Sequence, residues 1–206
     1  MTRLSPPEAV VFDVGNVLVE WDPGRVYADL LPDPEARAAF HARVDLSAMN
    51  IAGDRGRLAP NVAALAEAHP EDAHLVHPWY ARWEEMFAPR IEGSFTLMAA
   101  LREAGVKVFG LTNFAADTWA GKATQIHPEL AAFDLVVVSG EEGVIKPEPR
   151  IYEILEERSG LSGAQLFFAD DKPENIAAAE ARGWRGHVFT GPEGLAEALR
   201  AAGLPV

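Results

Sequence analysis

The segment VVFDVGNVL at residues 10–18 decides the fold, because an apolar run ends abruptly in an acid, Asp13, and a turn-forming Gly15-Asn16 pair follows. A carboxylate held at the carboxyl end of a buried strand is a candidate nucleophile or metal ligand. Polar groups also follow three later apolar runs, as LTN at 111–113, KP at 146–147 and DD at 170–171. The sequence therefore predicts chemistry just beyond the ends of several strands.

The composition excludes several classes of partner. The chain has 206 residues, 49% of them hydrophobic, which is enough to fill a core. Its 31 acidic and 18 basic residues give a net charge of −13, so we expect no nucleic-acid partner. There is no cysteine, which removes thiolate chemistry, and no apolar run approaches the ~20 residues that span a bilayer. We expect a cytoplasmic protein without a membrane partner, either a monomer or a homodimer.

From about residue 91 onward, short apolar runs alternate with amphipathic helical patterns. Runs that are apolar at every position, such as LVVV at 135–138, are typical of strands covered on both faces. This alternation predicts βαβ units, and hence an α/β fold with a doubly wound, mostly parallel sheet. The predicted strands are 106–111, 135–138, 166–169 and 186–189, and the predicted helices are 95–103, 116–125, 150–159 and 174–182.

Residues 22–90 break this alternation, since they contain helical patterns separated by Pro or Gly and no convincing strand. We therefore predict a core made of residues 1–21 and 91–206 with a helical cap at 22–90. The stripe Leu75-Trp79-Trp83-Phe87 is expected to form the apolar core of this insertion rather than a ligand pocket. The stretches 49–50 and 54–57 are expected to be turn-rich, with side chains directed at the core domain.

In open α/β sheets, ligands bind outside the carboxyl ends of the strands, so residues that follow different strands converge on one crevice. Taken singly, each of these residues has a plain structural explanation, as a helix cap, a helix start or a surface lysine. Their occurrence in this order is a specific signal. The residues predicted to meet there are Asp13, Thr112, Asn113, Lys146, Asp170 and Asp171.

In their order and spacing, these motifs resemble the haloacid dehalogenase-like (HAD) hydrolases, and the resemblance covers nearly the whole chain. It implies a Rossmann-like core in which Asp13 is the nucleophile, Thr112 with Asn113 binds the transferred group, and Lys146 supplies a cation. The insertion resembles the small helical cap of one subgroup. The form FDxGNV at residues 12–17 is similar to a branch that includes sugar-phosphate phosphatases.

The resemblance also implies a magnesium site. Asp13, Asp171 and the main-chain carbonyl of Gly15 would bind Mg²⁺, with Asp170 in or near its second shell, since Mg²⁺ prefers oxygen ligands. An asparagine, Asn175, matches a position that orients the acidic loop. The residues expected to bind the substrate are Asn16, Asn50 and Arg57.

Gly15 departs from the pattern of the family's phosphatases, most of which carry a second Asp there as general acid and base. A main-chain carbonyl can still bind metal, but the proton donor is missing. Either the substrate carries a good leaving group, or another group delivers the proton (Asn16, Asp22, Asp54 or a metal-bound water), or the protein is a weak enzyme. A positioned general acid contributes ~10²–10⁴-fold, so its loss matters most for poor leaving groups.

The sequence therefore predicts a Mg²⁺-dependent phosphatase of a small phosphorylated metabolite, with a sugar phosphate such as a hexose 1-phosphate favoured, acting through an aspartyl-phosphate on Asp13. Two alternatives remain open: a 2-haloacid dehalogenase, and a catalytically weak phosphate-binding or regulatory protein. The dehalogenase is less expected because the paired acids at 170–171 would repel a carboxylate substrate. A receiver domain of two-component signalling is disfavoured because its acidic pair follows the first strand.

Overall fold

The structure is a computed structural model and describes residues 5–206. Its central sheet has five parallel strands in the order β5-β4-β1-β6-β7, and a second sheet is an antiparallel pair, β2 and β3. The strands are β1 (Ala9–Phe12), β2 (Val19–Trp21), β3 (Phe87–Arg90), β4 (Lys107–Thr112), β5 (Leu135–Val138), β6 (Leu166–Asp170) and β7 (Arg185–Val188).

Most of the helices after β3 alternate with strands, whereas α1 to α7 all lie between β2 and β3. The α-helices are α1 (Gly24–Leu30), α2 (Pro34–Arg43), α3 (Leu46–Asp54), α4 (Leu58–Ala68), α5 (Ala73–Val76), α6 (Pro78–Ala81), α7 (Trp83–Met86), α8 (Glu92–Glu103), α9 (Ala116–Thr118), α10 (Thr124–Ile126), α11 (Ser139–Glu142), α12 (Pro149–Ser159), α13 (Pro173–Ala181) and α14 (Pro192–Ala201). A π-helical turn spans Trp119–Ala123, and 3-10 turns span Pro128–Ala132 and Gly163–Gln165.

The predicted α/β fold with a doubly wound parallel sheet is confirmed, and β1 shows its physical basis. Val10 and Phe12 pack into one apolar cluster while Ala9 and Val11 pack into another, and none of the four is exposed. Each cluster includes residues of helices on its own side of the sheet, so both faces are covered. This is why the strand is apolar at every position rather than at alternate ones.

The strand register brings the predicted motifs together. Phe12 pairs with Gly110 on β4 and with Ala169 on β6, so the carboxyl ends of these strands lie side by side. The backbone N–H of Asp13 donates to the Ala169 carbonyl at 2.9 Å. Asp13, Thr112 and Asp170 therefore stand at one edge of the sheet.

Predictions for residues 22–90 need correction. Phe87–Arg90 forms a strand where none was expected, because it pairs with β2 and closes the insertion at its base. The aromatic stripe at 75–87 is not one helix but α5, α6 and α7 followed by β3. Residues 49–54 lie in α3 rather than in a turn-rich stretch, since Asp45 caps that helix by accepting from Ala48 N at 2.8 Å. The proposed core and cap boundaries stay a prediction.

One predicted helix of the core is also interrupted. The segment 116–125 forms α9, the π-helical turn and α10 instead of a single regular helix. The hydroxyl of Thr124 donates to the carbonyl of Trp119 at 3.3 Å inside this irregular turn. In the part of the chain from residue 5 onward, no helix is long and apolar enough to cross a membrane.

Candidate active site

A buried lysine organises the edge of the sheet. The Nζ of Lys146 donates to Asp170 Oδ2 at 2.7 Å and to the Leu111 carbonyl at 2.8 Å, and it forms an ion pair with Asp13 Oδ1 at 2.8 Å. These three contacts surround the ammonium group, whose side chain is 1% exposed. Burial alone would lower the pKa of Lys146, but the two carboxylates outweigh it and raise that pKa, so the group stays charged.

Asp170 is fixed by hydrogen bonds on both of its oxygens. Asn175 Nδ2 lies 2.9 Å from Oδ1 and 3.0 Å from Oδ2, and the backbone N–H of Lys172 donates to Oδ1 at 2.8 Å. The side chain is fully buried. Asp170 therefore acts on the site as a fixed negative charge beneath Lys146, and Asn175 holds the start of α13 against it.

Asp13 is held through one oxygen. Lys146 and the backbone N–H of Val14, at 2.7 Å, both contact Oδ1, and the described residues give Oδ2 no hydrogen bond. Burial raises the pKa of Asp13 to about 7, and nearby Lys146 opposes that shift. A cation beside the carboxylate would stabilise its charged form. The geometry leaves Oδ2 as the oxygen available for attack.

Thr112 provides a second sign of a ligand. Thr112 is 1% exposed, yet its buried hydroxyl oxygen has no hydrogen-bond partner among the described residues. An unpartnered buried hydroxyl costs about 1–3 kcal/mol, so such a group in a site indicates a missing acceptor. At the end of β4, it would donate to an oxygen of a group bound next to Asp13.

Asn113 is engaged with the backbone of Lys146 rather than free for substrate. Its Oδ1 accepts from the Lys146 N–H at 2.7 Å and its Nδ2 donates to the Lys146 carbonyl at 3.0 Å. This pair of bonds joins the end of β4 to the loop before α12. The predicted catalytic residue Asn113 lines the cavity, but what it does in this structure is position Lys146.

The donor set for a metal fits the prediction. One carboxylate oxygen from each of Asp13, Asp170 and Asp171 lies within 4.8 Å of the others, which suits a small hard cation. Asn16, at φ +58°, donates from Nδ2 to Asp171 Oδ2 at 3.2 Å and accepts from Trp21 N at 2.9 Å. Asn16 was expected to bind substrate, and here its amide orients the acid loop and β2.

Gly15 lines the same cavity, and its backbone does not require a glycine. A Cβ built there would have the Cβ of Trp21 as its nearest neighbour, at 3.9 Å, which is ordinary van der Waals contact. Gly15 is not among the positive-φ residues either. The absence of an acid at this position is therefore not imposed by local packing.

Above the carboxylates lies a cavity of about 480 Å³. Its walls include aromatic rings from both regions of the chain: Trp21, Trp79, Trp83, Phe87 and Phe114. Trp83 lies 5.0 Å from Phe87 and 5.3 Å from Phe114, measured between ring centroids. The aromatic stripe is thus buried, as expected, but it also forms the wall of a pocket.

The three predicted substrate contacts differ in where they lie. Asn50 lines the cavity, but its amide is occupied: it donates to Asp54 Oδ2 at 3.1 Å and accepts from Trp79 Nε1 at 3.2 Å. Asn16 lines it as well. Arg57 is exposed, precedes α4 and does not line the cavity, so its predicted contact is not supported.

Sequence reasoning missed the residues that join the insertion to the core. The hydroxyl of Ser139 donates to the Asp54 carbonyl at 2.6 Å, and Asp117 accepts from the N–H groups of Leu58 and Ala59 at 2.8 and 3.0 Å. A serine after a strand and an acid in a short helix are common, so no motif identifies them. Only the folded chain shows that they contact α3 and α4.

The fold and the site define an α/β protein with an aspartate directly after its first strand and two more carboxylates beside it. The chain belongs to the haloacid dehalogenase-like hydrolases, whose family model matches residues 7–183. The resemblance seen in the motifs is therefore confirmed at the level of the family.

Individual relatives agree with this assignment. A sesquiterpene phosphatase of Aspergillus oryzae, astK, is 35% identical over 91 residues, which is 44% of this chain and 46% of that protein. The match thus spans less than half of that relative. A HAD-like family hydrolase from Porphyromonas gingivalis has a TM-score of 0.72 at 18% identity, covering 96% of this chain and 98% of that one. A HAD family enzyme from Bacteroides thetaiotaomicron, in a magnesium complex, gives 0.71 at 18%, covering 95% and 100%.

Proposed function

We propose that this protein is a Mg²⁺-dependent phosphatase that hydrolyses a phosphate monoester through an aspartyl-phosphate on Asp13. The observation that carries the proposal is the geometry around Asp13, whose Oδ1 is held by Lys146 while Oδ2 carries no hydrogen bond from the described residues. The unpartnered hydroxyl of Thr112 supports it, because a phosphoryl oxygen is the acceptor it lacks.

In this mechanism Asp13 Oδ2 attacks phosphorus, and the bond from phosphorus to the leaving oxygen breaks. The Thr112 hydroxyl donates to an oxygen on which negative charge accumulates, and the positive charge of Lys146 beside Asp13 stabilises that negative charge, so catalysis rests mainly on positioning and electrostatics. Asp13, Asp171 and the Gly15 carbonyl would hold Mg²⁺, with Asp170 behind them, and the ion would neutralise charge between carboxylates and phosphate. Water then attacks phosphorus of the aspartyl-phosphate and releases inorganic phosphate.

The cavity wall supports a particular class of substrate. Its aromatic rings offer apolar surface, and the amide of Asn50 is already engaged by Trp79 and Asp54. A hexose would bring several hydroxyl groups that need partners, whereas an apolar chain would not. Together with the similarity to the Aspergillus sesquiterpene phosphatase, this favours a monophosphate with an apolar organic part over the hexose 1-phosphate expected from the sequence.

The test compares the wild-type protein with Asp13→Asn on para-nitrophenyl phosphate, farnesyl monophosphate and glucose 1-phosphate, with and without Mg²⁺. We expect Mg²⁺-dependent turnover, a loss of at least ~10³-fold in Asp13→Asn, and a higher kcat/KM for the farnesyl ester than for the sugar phosphate. Equal rates in both proteins would refute the enzyme. Chloride release from 2-chloropropionate without Mg²⁺ would instead support the dehalogenase. Cytoplasmic location and a monomeric or dimeric state stay predictions.

A further inference from the structure

An apolar alcohol is a poor leaving group, so the proposed reaction needs a proton donor that Gly15 does not supply. Two of the residues considered for that role are unsuitable. Asn16 is a neutral amide whose nitrogen and oxygen are both hydrogen-bonded. The Asp22 side chain is 54% exposed, accepts from Gly24 N at 2.8 Å and does not line the cavity.

The third residue, Asp54, lies on the cavity into which a leaving group would extend. It is the last residue of α3 and lines the same cavity as Asp13 and Lys146. Asn50 Nδ2 donates to its Oδ2 at 3.1 Å, whereas residues 5–206 offer Oδ1 no hydrogen bond. One carboxyl oxygen is thus oriented by a neighbour, and the other is available to the cavity.

Although Asp54 belongs to the insertion, the core holds its backbone in place. Ser139, directly after β5, donates from Oγ to the Asp54 carbonyl at 2.6 Å. Two residues later, the Gly56 carbonyl accepts from Ala116 N at 2.8 Å, and Arg55 forms an ion pair with Glu148. These contacts fix the end of α3 relative to strand ends that also position the carboxylates.

The surroundings suit a carboxyl group that exchanges a proton near neutral pH. Burial raises the pKa of Asp54 to about 7, and the positive charges of Lys172 and Lys146 limit the rise. Other charged groups on the cavity are Asp13 and Asp171, while His41 faces it from α2. A catalytic acid is most efficient when its pKa lies near the operating pH.

We propose that Asp54 is the catalytic acid and base of this protein, replacing from the insertion the carboxyl group that Gly15 lacks. The inference rests on the proposed phosphatase function. As Asp13 bonds to phosphorus, the leaving oxygen takes the proton of the Asp54 carboxyl group and departs as a neutral alcohol. In the second step, the attacking water gives a proton back to the Asp54 carboxylate, phosphate leaves and the Asp13 carboxylate is regenerated.

The experiment compares Asp54→Asn and Asp54→Ala with the wild type, all in the presence of Mg²⁺, on two substrates, farnesyl monophosphate and para-nitrophenyl phosphate. For the farnesyl ester, kcat/KM should fall ~10²–10⁴-fold. For the nitrophenyl ester it should fall far less, because nitrophenolate leaves without a proton and kcat/KM reports only the first step. Slow hydrolysis of the phosphoenzyme should then appear as a burst of nitrophenolate. Asp22→Asn, the same change at the exposed acid, serves as the control and should match the wild type.

The pH profile gives a second readout. With the farnesyl ester, kcat/KM of the wild type should fall as pH rises through about 7, because the protonated acid is needed, and that decline should vanish in Asp54→Asn. Equal losses on both esters in both variants, or no loss on either, would overturn the role of Asp54. Failure of the proposed function would look different, since the wild type itself would not turn over para-nitrophenyl phosphate.

Discussion

The floor and the roof of the cavity are built on different principles. The floor, formed by Asp13, Lys146, Asp170 and Asn175, consists of polar groups fixed by short hydrogen bonds at strand ends. The roof, formed largely by α3 and the aromatic residues of α6 and α7, is held by apolar packing. In the proposed function, the charged floor would carry out the reaction and the apolar roof would select the organic part of the substrate. Within this roof, Asp54 places a carboxyl group on the cavity.

The largest expected effect is on the floor. Lys146→Ala removes the cation between two buried carboxylates, and breaking a buried pair in this way costs about 3–5 kcal/mol. Urea unfolding should show this loss, and Mg²⁺ should restore more stability to the variant than it adds to the wild type. The control is Arg150→Ala, which removes an exposed cation paired with Glu157 and should change stability by at most about 1 kcal/mol. Equal losses of stability in Lys146→Ala and Arg150→Ala would contradict the importance of the buried cation.

A smaller loss is expected where the floor is braced. Asn175→Ala leaves the buried Asp170 without its amide donor, at a cost of about 1–3 kcal/mol in the free energy of unfolding. The matched control is Asn61→Ala, which deletes an exposed amide that donates to the Arg57 carbonyl at 2.7 Å. If both variants unfold at the same urea concentration, the hydrogen bonds from Asn175 to Asp170 do not contribute measurably to stability.

In the roof, the expected effect is on selectivity. Trp83→Leu removes a ring from the cavity wall, so the ratio of kcat/KM for farnesyl monophosphate to that for glucose 1-phosphate should fall about tenfold, or ~1.4 kcal/mol. Trp184→Leu is the control, because Trp184 is equally buried but packs with Tyr152 in the other apolar cluster. It should reduce stability without changing the ratio. If the ratio is unchanged in Trp83→Leu, the aromatic wall does not select the substrate.

The last expected effect is a change in how the stability of the protein depends on pH. Asp54 has its pKa raised from 3.8 to about 7, so between these values the folded protein holds a proton that the unfolded chain has lost. Stability therefore falls as pH rises through this window. Asp54→Asn removes the part of that dependence that Asp54 contributes, so the variant should be more stable than the wild type at pH 8 but not at pH 4. Thermal unfolding at both values checks this, with Asp22→Asn as the control.

The same contrast separates what the sequence predicts from what it does not. Asp13 directly follows β1 and Asp170 ends β6, whereas Lys146 comes eight residues after β5, beyond α11. Strands that are apolar at every position are recognisable from short runs such as residues 135–138. Because parallel strand ends meet at one edge, order along the chain is enough to bring Asp13, Lys146 and Asp170 together. The identity of the family followed from that order.

The roof was less predictable because its position depends on contacts between distant segments. Ser139 and Asp54 are 85 residues apart, and no local pattern records their hydrogen bond. The stripe at 75–87 has helical spacing, yet its last residue, Phe87, pairs with Trp21 of β2 and is the first residue of β3. Arg57 was expected to contact the substrate because it lay in a stretch predicted to be turn-rich and directed at the core, and in the structure it is exposed and does not line the cavity.

The room beside Gly15 has a consequence for how this protein can be altered. Since a Cβ fits there, a single Gly15→Asp exchange would offer the floor an acid of its own. An enzyme with its acid in the floor could accept a foreign insertion and keep its chemistry. With the acid on α3, an exchange of the insertion removes the proton donor together with the aromatic wall. In this chain, the proton donor and the substrate-selecting wall would therefore change together whenever the insertion changes.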